Sequence, residues 1–195
     1  MTLEQLYANG VIPFDRSMLE GNGRFPSDAI EWLARHGLPR LEGGEVLGVS
    51  FLSPAIKRFD GEEFIMFASE RWREDLWIGI GTDGAVYALG PVQGRRSFIN
   101  SNLEVFLQFM AHVSRYLEAA KATDTGPTVM TRDVLQERLA ALRNGKIRPA
   151  ARATGFDRQF ETERLECEFR TLDRAALKRD GWWCKIIEQL RDGLI

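Results

Sequence analysis

Three glycines in the stretch "IGIGTDGAVY", residues 78–87, have the spacing G-x-G-x-x-G, which is typical of dinucleotide-binding enzymes. In such enzymes the glycines follow a strand and open a helix, whose free N–H groups bind the pyrophosphate. Here Gly84 is followed by the short β-prone run "AVYAL", and the turn "TDG" separates this run from the β-prone "DLWIGIG". Because glycine adopts positive φ readily, this pattern predicts a β-hairpin. A nucleotide-binding enzyme that uses the GIGTDG segment is a minor alternative.

The histidines and paired acids offer little that could form an active site. His36 and His112 lie far apart in the sequence, and no serine occurs in the G-x-S-x-G pattern of hydrolases. The adjacent acids Glu62 and Glu63 lie on a predicted strand, where neighbouring side chains point to opposite faces. His36 falls in the last turn of a predicted helix, where a cation complements the helix dipole. We therefore predict that the protein is not an enzyme and uses no cofactor or metal.

Composition narrows the class of protein further. The 195 residues are 44% hydrophobic, which is enough for a full core, and the formal net charge of −2 disfavours nucleic-acid binding. No apolar run reaches the length of about 18 residues that would indicate a membrane span, and "MTLEQLYANG" does not resemble a signal peptide. We expect a cytoplasmic protein with no membrane partner. Cys167 and Cys184 are too few for a disulfide framework or a zinc site, and both are expected to be packing residues.

One helix and a run of short strands are predicted in the first half of the chain. The segment "FPSDAIEWLARHGLPR" predicts a helix with Ser27 as N-cap and with Gly37 and Pro39 as stop signals. Four β-prone segments follow at a spacing that is typical of an antiparallel meander. They are "EVLGVSFL", "EEFIMFAS", "DLWIGIG" and "AVYAL", and they are separated by "SPAIKRFDG", "ERWRE" and "TDG".

The segment "FINSNLEVFLQFM" predicts a second helix, because Ser101 and Glu104 have the spacing of a capping box. Apolar residues then recur every three or four positions, which places them on one stripe that can cover a sheet. These residues are Leu103, Phe106, Leu107, Met110, Val113 and Leu117.

The last third of the chain is predicted to be helical after the break "KATDTGPT". The predicted helices lie in "RDVLQERLAALRNG", "ETERLECEFRTLDRAAL" and "GWWCKIIEQLRDGLI", and the basic run over residues 121–160 is expected to be a solvated helical surface. In the last segment, four residues form an apolar stripe, Gly193 ends the helix, and the final two residues are expected to fold back onto it. The stripe is Trp183, Ile186, Ile187 and Leu190, and the final residues are Leu194 and Ile195.

These elements predict an α+β fold in which an antiparallel β-sheet meander is backed by helices. We assign residues 1–120 to the α+β core. Residues 121–195 are assigned to a helical C-terminal extension of the same domain, packed on the core.

Four segments in this order resemble the SUKH superfamily of Smi/Knr-like domains, in particular its actinobacterial-type branch. They are "FPSDAIEWLARHGLP", "LWIGIGTDGAVYAL", "FINSNLEVFLQFM" and the C-terminal "LDRAALKRDGWWCKIIEQLRDGLI". One departure is an Arg-Trp-Arg insertion in "FIMFASERWRED", where the family pattern has a glycine-containing turn. Bacterial members of the superfamily are mostly immunity proteins that neutralise toxins delivered between competing cells.

The resemblance implies a non-enzymatic immunity protein of a polymorphic toxin system, whose partner is a cognate toxin domain. It implies no nucleic acid and no small-molecule cofactor. The alternative is an intracellular regulatory interaction module of the same fold without a toxin partner. As the partner-binding residues we select a charged segment around a tryptophan, because Trp and Arg are favoured anchors of interfaces. The segment is Glu70, Arg71, Trp72, Arg73, Glu74 and Asp75.

Overall fold

The computed structural model describes residues 2–19, 24–41, 46–70, 76–90, 95–123, 136 and 156–195. A five-stranded antiparallel sheet is formed by strands that follow one another in the chain, together with helices and a small two-stranded sheet. The α+β meander predicted from the sequence is therefore confirmed. The strands of the large sheet are β3 Val49–Phe59, β4 Glu62–Glu70, β5 Trp77–Ile80, β6 Val86–Gly90 and β7 Arg95–Asn100, and those of the small sheet are β1 Val11–Ile12 and β2 Leu38–Pro39.

The glycine-marked segment forms the predicted hairpin. Strands β5 and β6 pair antiparallel, with Ile80 opposite Val86 and Trp77 opposite Leu89. Gly84 has φ +82° in the turn between them, a conformation that glycine adopts without steric strain. The chain continues from Gly84 into a strand, so this segment lacks the helix N-terminus that a dinucleotide site requires.

Two strand boundaries differ from the prediction. Strand β3 continues to Phe59, through the segment that was expected to separate two strands. The register between β3 and β4 shifts between Phe51 and Ala55, and this irregularity accommodates Pro54 on an edge strand. Strand β7 was missed, because its last three residues, Phe98 to Asn100, were read as the beginning of a helix.

The first long helix, α2 Ser27–His36, follows a short helix, α1 Leu3–Leu6. Ser27 is the first helical residue rather than the N-cap, because Pro26 occupies the cap position and supplies no side-chain bond. The end of the helix is as predicted: Gly37 has φ +64°, and its N–H donates to the carbonyl of Leu33 at 2.8 Å.

Helix α3 Leu103–Thr123 covers the inner face of the sheet. The predicted stripe is confirmed: its residues from Leu103 to Val113 are buried, and Leu117 is partly buried. The predicted capping box is wrong. Asn102 is the cap, since its Oδ1 accepts the N–H of Val105 at 2.9 Å, and Glu104 accepts from the side chain of Gln108 instead.

Helices α4 Arg158–Leu172 and α5 Trp182–Asp192 pack on α3 and share one hydrophobic core with the sheet. The rings of Phe109 of α3 and Phe169 of α4 stack with centroids 3.8 Å apart, and the fully buried Trp183 packs against both, with ring centroids 5.0 and 5.1 Å away. The other three residues of the predicted stripe, from Ile186 to Leu190, are also buried. Of the predicted helix "RDVLQERLAALRNG", only Gln136 lies within the described residues, and it is helical.

Two details of this C-terminal part correct the sequence analysis. Gly193 ends α5 with φ +70°, and the N–H of Leu194 donates to the carbonyl of Gln189 at 2.9 Å. The expected apolar contact is nevertheless not formed, because Leu194 is 71% exposed and Ile195 is 45% exposed. Cys167 is also exposed rather than packed, since it lies on the solvent side of α4, while Cys184 is half-buried.

The carboxylate of Asp173 joins the sheet to the C-terminal helices. It accepts the backbone N–H of Ser101 at 2.7 Å, the hydroxyl of Ser101 at 3.1 Å, and the N–H of Ala175 at 3.1 Å. Asn100 donates to it at 3.4 Å and accepts the indole N–H of Trp183 at 2.8 Å. These contacts, which we call the Asp173 junction, fix the end of β7 and the start of α3 against the turn between α4 and α5.

Asp173→Ala is expected to lower the free energy of unfolding by about 3 kcal/mol, because it leaves the buried amide of Asn100 and the part-buried backbone N–H of Ser101 without an acceptor. Urea denaturation measures the loss. Asp192→Ala, at an exposed position, is the matched control and is expected to change stability by less than about 0.5 kcal/mol. A loss below about 1 kcal/mol for Asp173→Ala would contradict a structural role for the junction.

Deleting residues 181–195 is expected to give insoluble protein or a strongly lowered melting temperature. Four buried apolar side chains of α5 would be lost, each worth roughly 1.5–3 kcal/mol. That sum is comparable to the whole stability of a typical domain. Deletion of residues 194 and 195 alone is the control and should leave the melting temperature unchanged. A soluble 1–180 fragment with the wild-type melting temperature would show that α5 is an independent arm.

Candidate functional site

The sheet carries a second apolar cluster on the face opposite to α3. Side chains alternate between the two faces of a strand, so every second residue of β4, β6 and β7 contributes to this outer face. The cross-strand register places Tyr87 between Gly79 and Phe98, and Trp77 opposite Leu89. We call this set the outer aromatic cluster: Phe64, Met66, Ala85, Tyr87 and Leu89 are buried, and Phe59, Trp77 and Phe98 are partly exposed around them.

The glycine motif of the sequence makes room for this cluster. A Cβ atom at Gly81 would lie 2.9 Å from Cε2 of Tyr87 and 2.7 Å from Oδ1 of Asp83. A Cβ atom at Gly79 would lie 3.0 Å from the sulfur of Met66. Gly84 supplies the turn, whereas Gly79 and Gly81 allow large side chains of neighbouring strands to lie across β5.

Three cations lie over rings of the outer aromatic cluster. The Nζ of Lys57 is 4.0 Å from the ring centroid of Trp77, and the guanidinium of Arg96 is 5.0 Å from that of Tyr87. The Nζ of Lys178 is 5.4 Å from the ring centroid of Phe98. Such cation–π contacts are worth about 0.5–1 kcal/mol each at exposed sites. They hold positive charge at defined positions on an aromatic surface.

The phenol of Tyr87 is fixed in its neutral form. Its hydroxyl donates to Oδ2 of Asp83 at 2.5 Å. Burial, together with this hydrogen bond to a carboxylate, raises the pKa of Tyr87 to about 12. Tyr87 is therefore an uncharged, oriented part of the surface near neutral pH.

The partner-binding segment predicted from the sequence starts beside this cluster. Glu70 is the last residue of β4, is half-buried, and donates its N–H to the carbonyl of Leu76 at 3.0 Å. The preceding Ser69 lies opposite Trp77 in the sheet. The other five predicted residues, Arg71, Trp72, Arg73, Glu74 and Asp75, lie outside the described residues.

Sequence reasoning missed the residues of the outer aromatic cluster and its cations. A signal was present, because large side chains, one of them aromatic in each strand, recur with the period of two that marks one face of a strand. Tyr87 and Leu89 on β6, and Arg96 and Phe98 on β7, follow this pattern. The position of Lys178 over Phe98 could not be predicted from the sequence, because Lys178 lies in the loop before α5, 80 residues after Phe98.

Both histidines have structural contacts. Nδ1 of His112 lies 2.6 Å from a carboxylate oxygen of Glu168, which also accepts from Arg115 at 2.6 Å, so these residues link α3 to α4. Burial lowers the pKa of His112, and the Glu168 carboxylate opposes this shift only in part. Nδ1 of His36 lies 3.1 Å from the carbonyl oxygen of Trp32 in its own helix.

Two further classes of site are not found among the described residues. No group of three or more His, Cys, Asp or Glu side chains in those ranges is arranged to hold a metal ion. None of the helices in the same ranges has the length and apolar character needed to cross a membrane.

The antiparallel sheet has helices on one face and aromatic rings with cations over them on the other. This arrangement defines an α+β domain with a candidate surface for protein recognition. The comparison with protein families agrees with this class. The chain belongs to the SUKH-4 immunity protein family, whose family model matches residues 2–189. No curated protein and no solved structure matches the chain significantly.

Gly81→Ala is expected to lower the free energy of unfolding by about 1–3 kcal/mol, because the added methyl group would overlap the ring of Tyr87. Thermal or urea unfolding measures this change. The same substitution in a Tyr87→Ala background is the control and should be less costly, because the ring is gone. Equal losses in the two backgrounds would contradict the packing role assigned to Gly81.

Proposed function

We propose that this protein is an immunity protein that binds and neutralises a cognate bacterial toxin domain by protein–protein interaction. Membership of the SUKH-4 immunity protein family supports the immunity role. The single structural observation that carries the binding role is the outer aromatic cluster, in which Trp77 and Phe98 are partly exposed beside fixed cations. Neutralisation by binding needs no catalytic group and no cofactor on this chain.

The composition of this surface is that of a protein interface. Tryptophan, tyrosine and arginine are enriched among residues that dominate binding energy, and such residues lie within a polar rim. Here Trp77, Tyr87 and Arg96 occupy neighbouring strands, and the ion pair between Glu62 and Arg96 lies at the rim. Rings that a sheet already holds in place lose little freedom when a partner binds.

The proposed binding surface combines the outer aromatic cluster with residues 70–75. The pairing of Ser69 with Trp77 supports this combination, because it brings the start of the charged segment next to a partly exposed ring of the cluster. Trp72 within that segment would add a second tryptophan to the surface. We further propose that the protein acts in the cytoplasm of the toxin-producing cell, where it would cover a folded toxin domain, and that residues 1–120 and 121–195 form one domain.

The expected result of a co-expression experiment is that wild-type protein restores growth to cells that express the toxin domain encoded beside its gene. Trp77→Ala and Trp72→Ala are each expected to weaken binding of the purified toxin domain by at least tenfold, a loss of about 1.4 kcal/mol. Isothermal titration measures the affinity, and melting temperatures verify that each variant is folded.

Phe160→Ala is the matched control, because Phe160 is an aromatic residue of α4 that is 60% exposed and lies outside the outer aromatic cluster. It should protect cells and bind toxin as the wild type does. Absence of both protection and binding by the wild type would reject the immunity proposal and favour a regulatory role. If both tryptophan variants bind the toxin domain with wild-type affinity, the immunity function stands, but this surface is rejected as the binding site.

A further inference from the structure

Lys57 and Lys178 carry positive charge on the outer face, each over an aromatic ring. Among the described residues, no carboxylate lies within ion-pair distance of either ammonium group, whereas Arg96 is paired with Glu62. Both lysines are exposed. The chain as a whole has a net charge of −2, so the sign at these two positions is opposite to that of the whole molecule.

Lys57 and Lys178 come from opposite margins of the sheet but place their charges over rings of the outer aromatic cluster. Lys57 belongs to β3, and its Nζ lies over Trp77 of β5, whereas Lys178 lies over Phe98 of β7. Two strand spacings of about 4.8 Å separate β5 from β7, so the two charges flank a strip of the cluster that is roughly 10 Å wide. Tyr87 and Leu89 of β6 lie in this strip.

From this arrangement we infer that the outer face binds a toxin surface on which carboxylates flank an apolar patch, with Lys57 and Lys178 pairing with those carboxylates. The inference rests on the proposed immunity function and specifies the chemistry of its partner. The apolar patch would contact the parts of Trp77 and Phe98 that the lysines leave exposed. Complementary charge at the margins would fix the register of the two proteins and speed their association.

Single-stranded nucleic acid is the competing occupant, because it also combines negative charge with flat apolar groups. Proteins that bind it stack bases on the faces of aromatic rings. Here faces of Trp77, Tyr87 and Phe98 carry their own cations, which occupy the positions that bases would take. Two lysines also provide few phosphate contacts, and phosphate contacts supply most of the affinity for nucleic acid. A protein surface with carboxylates is therefore the favoured occupant.

Charge reversal tests the inference with the purified toxin domain identified by the co-expression experiment. Lys57→Glu and Lys178→Glu are each expected to weaken binding about tenfold and to flatten its dependence on salt concentration between 50 and 300 mM NaCl. Lys57→Gln should give an intermediate loss, because it removes the charge without introducing repulsion. Lys185→Glu on α5, an exposed position outside the outer aromatic cluster, is the control and should bind as the wild type does.

The outcomes separate this inference from the proposal on which it rests. Failure of the wild type to bind the toxin domain would reject the immunity function, and the inference with it. If the wild type binds and the charge-reversal variants retain its affinity, the immunity function stands and the carboxylate-bearing partner is rejected. The last measurement is a titration of the protein with single-stranded oligothymidylate. Binding by the wild type that is lost in Lys57→Glu and Lys178→Glu would assign the surface to nucleic acid and overturn the inference.

Discussion

The architecture depends on one buried carboxylate. Asp173 accepts hydrogen bonds from the backbone and side chain of Ser101 and lies within reach of the Asn100 amide. A buried carboxyl group is unfavourable unless its oxygens are hydrogen-bonded, and here the donors come from the point where β7 becomes α3 and from the backbone N–H of Ala175. Through Asn100 the same junction orients Trp183, whose ring packs against Phe109 of α3 and Phe169 of α4. The position of the C-terminal helices relative to the sheet therefore follows from a polar contact as much as from apolar burial.

The two faces of the sheet differ in what covers them. Helices α3, α4 and α5 cover the inner face, which carries the main hydrophobic core. The outer face has its own smaller apolar cluster, in which Phe64 and Leu89 are buried while Trp77 and Phe98 are partly exposed. A sheet that is stabilised on one face can present aromatic groups on the other without relying on them for folding. Substitutions at the outer margin are consequently expected to change recognition more than stability.

Local patterns in the sequence predicted what local physics determines. The glycine-marked hairpin, the stripe of α3 and the buried face of α5 all follow from turn chemistry and periodicity, and each is confirmed. The cap of α3 was wrong for a reason that is not local. Ser101 and Asn102 are both good cap residues, and the choice falls on Asn102 because Asp173, 72 residues away from Ser101, engages the serine. A similarly large distance in sequence separates Lys178 from the candidate site, whereas the period-two pattern of large side chains in β6 and β7 could be read from the sequence and was overlooked.

The ring-bound cations decide what kind of surface the outer face presents. An aromatic ring with a free face favours flat or apolar ligands, but a ring beneath an ammonium or guanidinium group presents positive charge with its position defined. Because Trp77 and Tyr87 are held by strand pairing and Tyr87 is further fixed by Asp83, the cations on them lose less freedom on binding than cations on unrestrained side chains would. Charges held in this way discriminate strongly between partners, since a like charge brought against a fixed cation cannot be relieved by rotating the side chain away. Under the proposed immunity function, a rigid sheet with oriented cations would supply specificity from electrostatics, while the apolar area beside them would supply affinity.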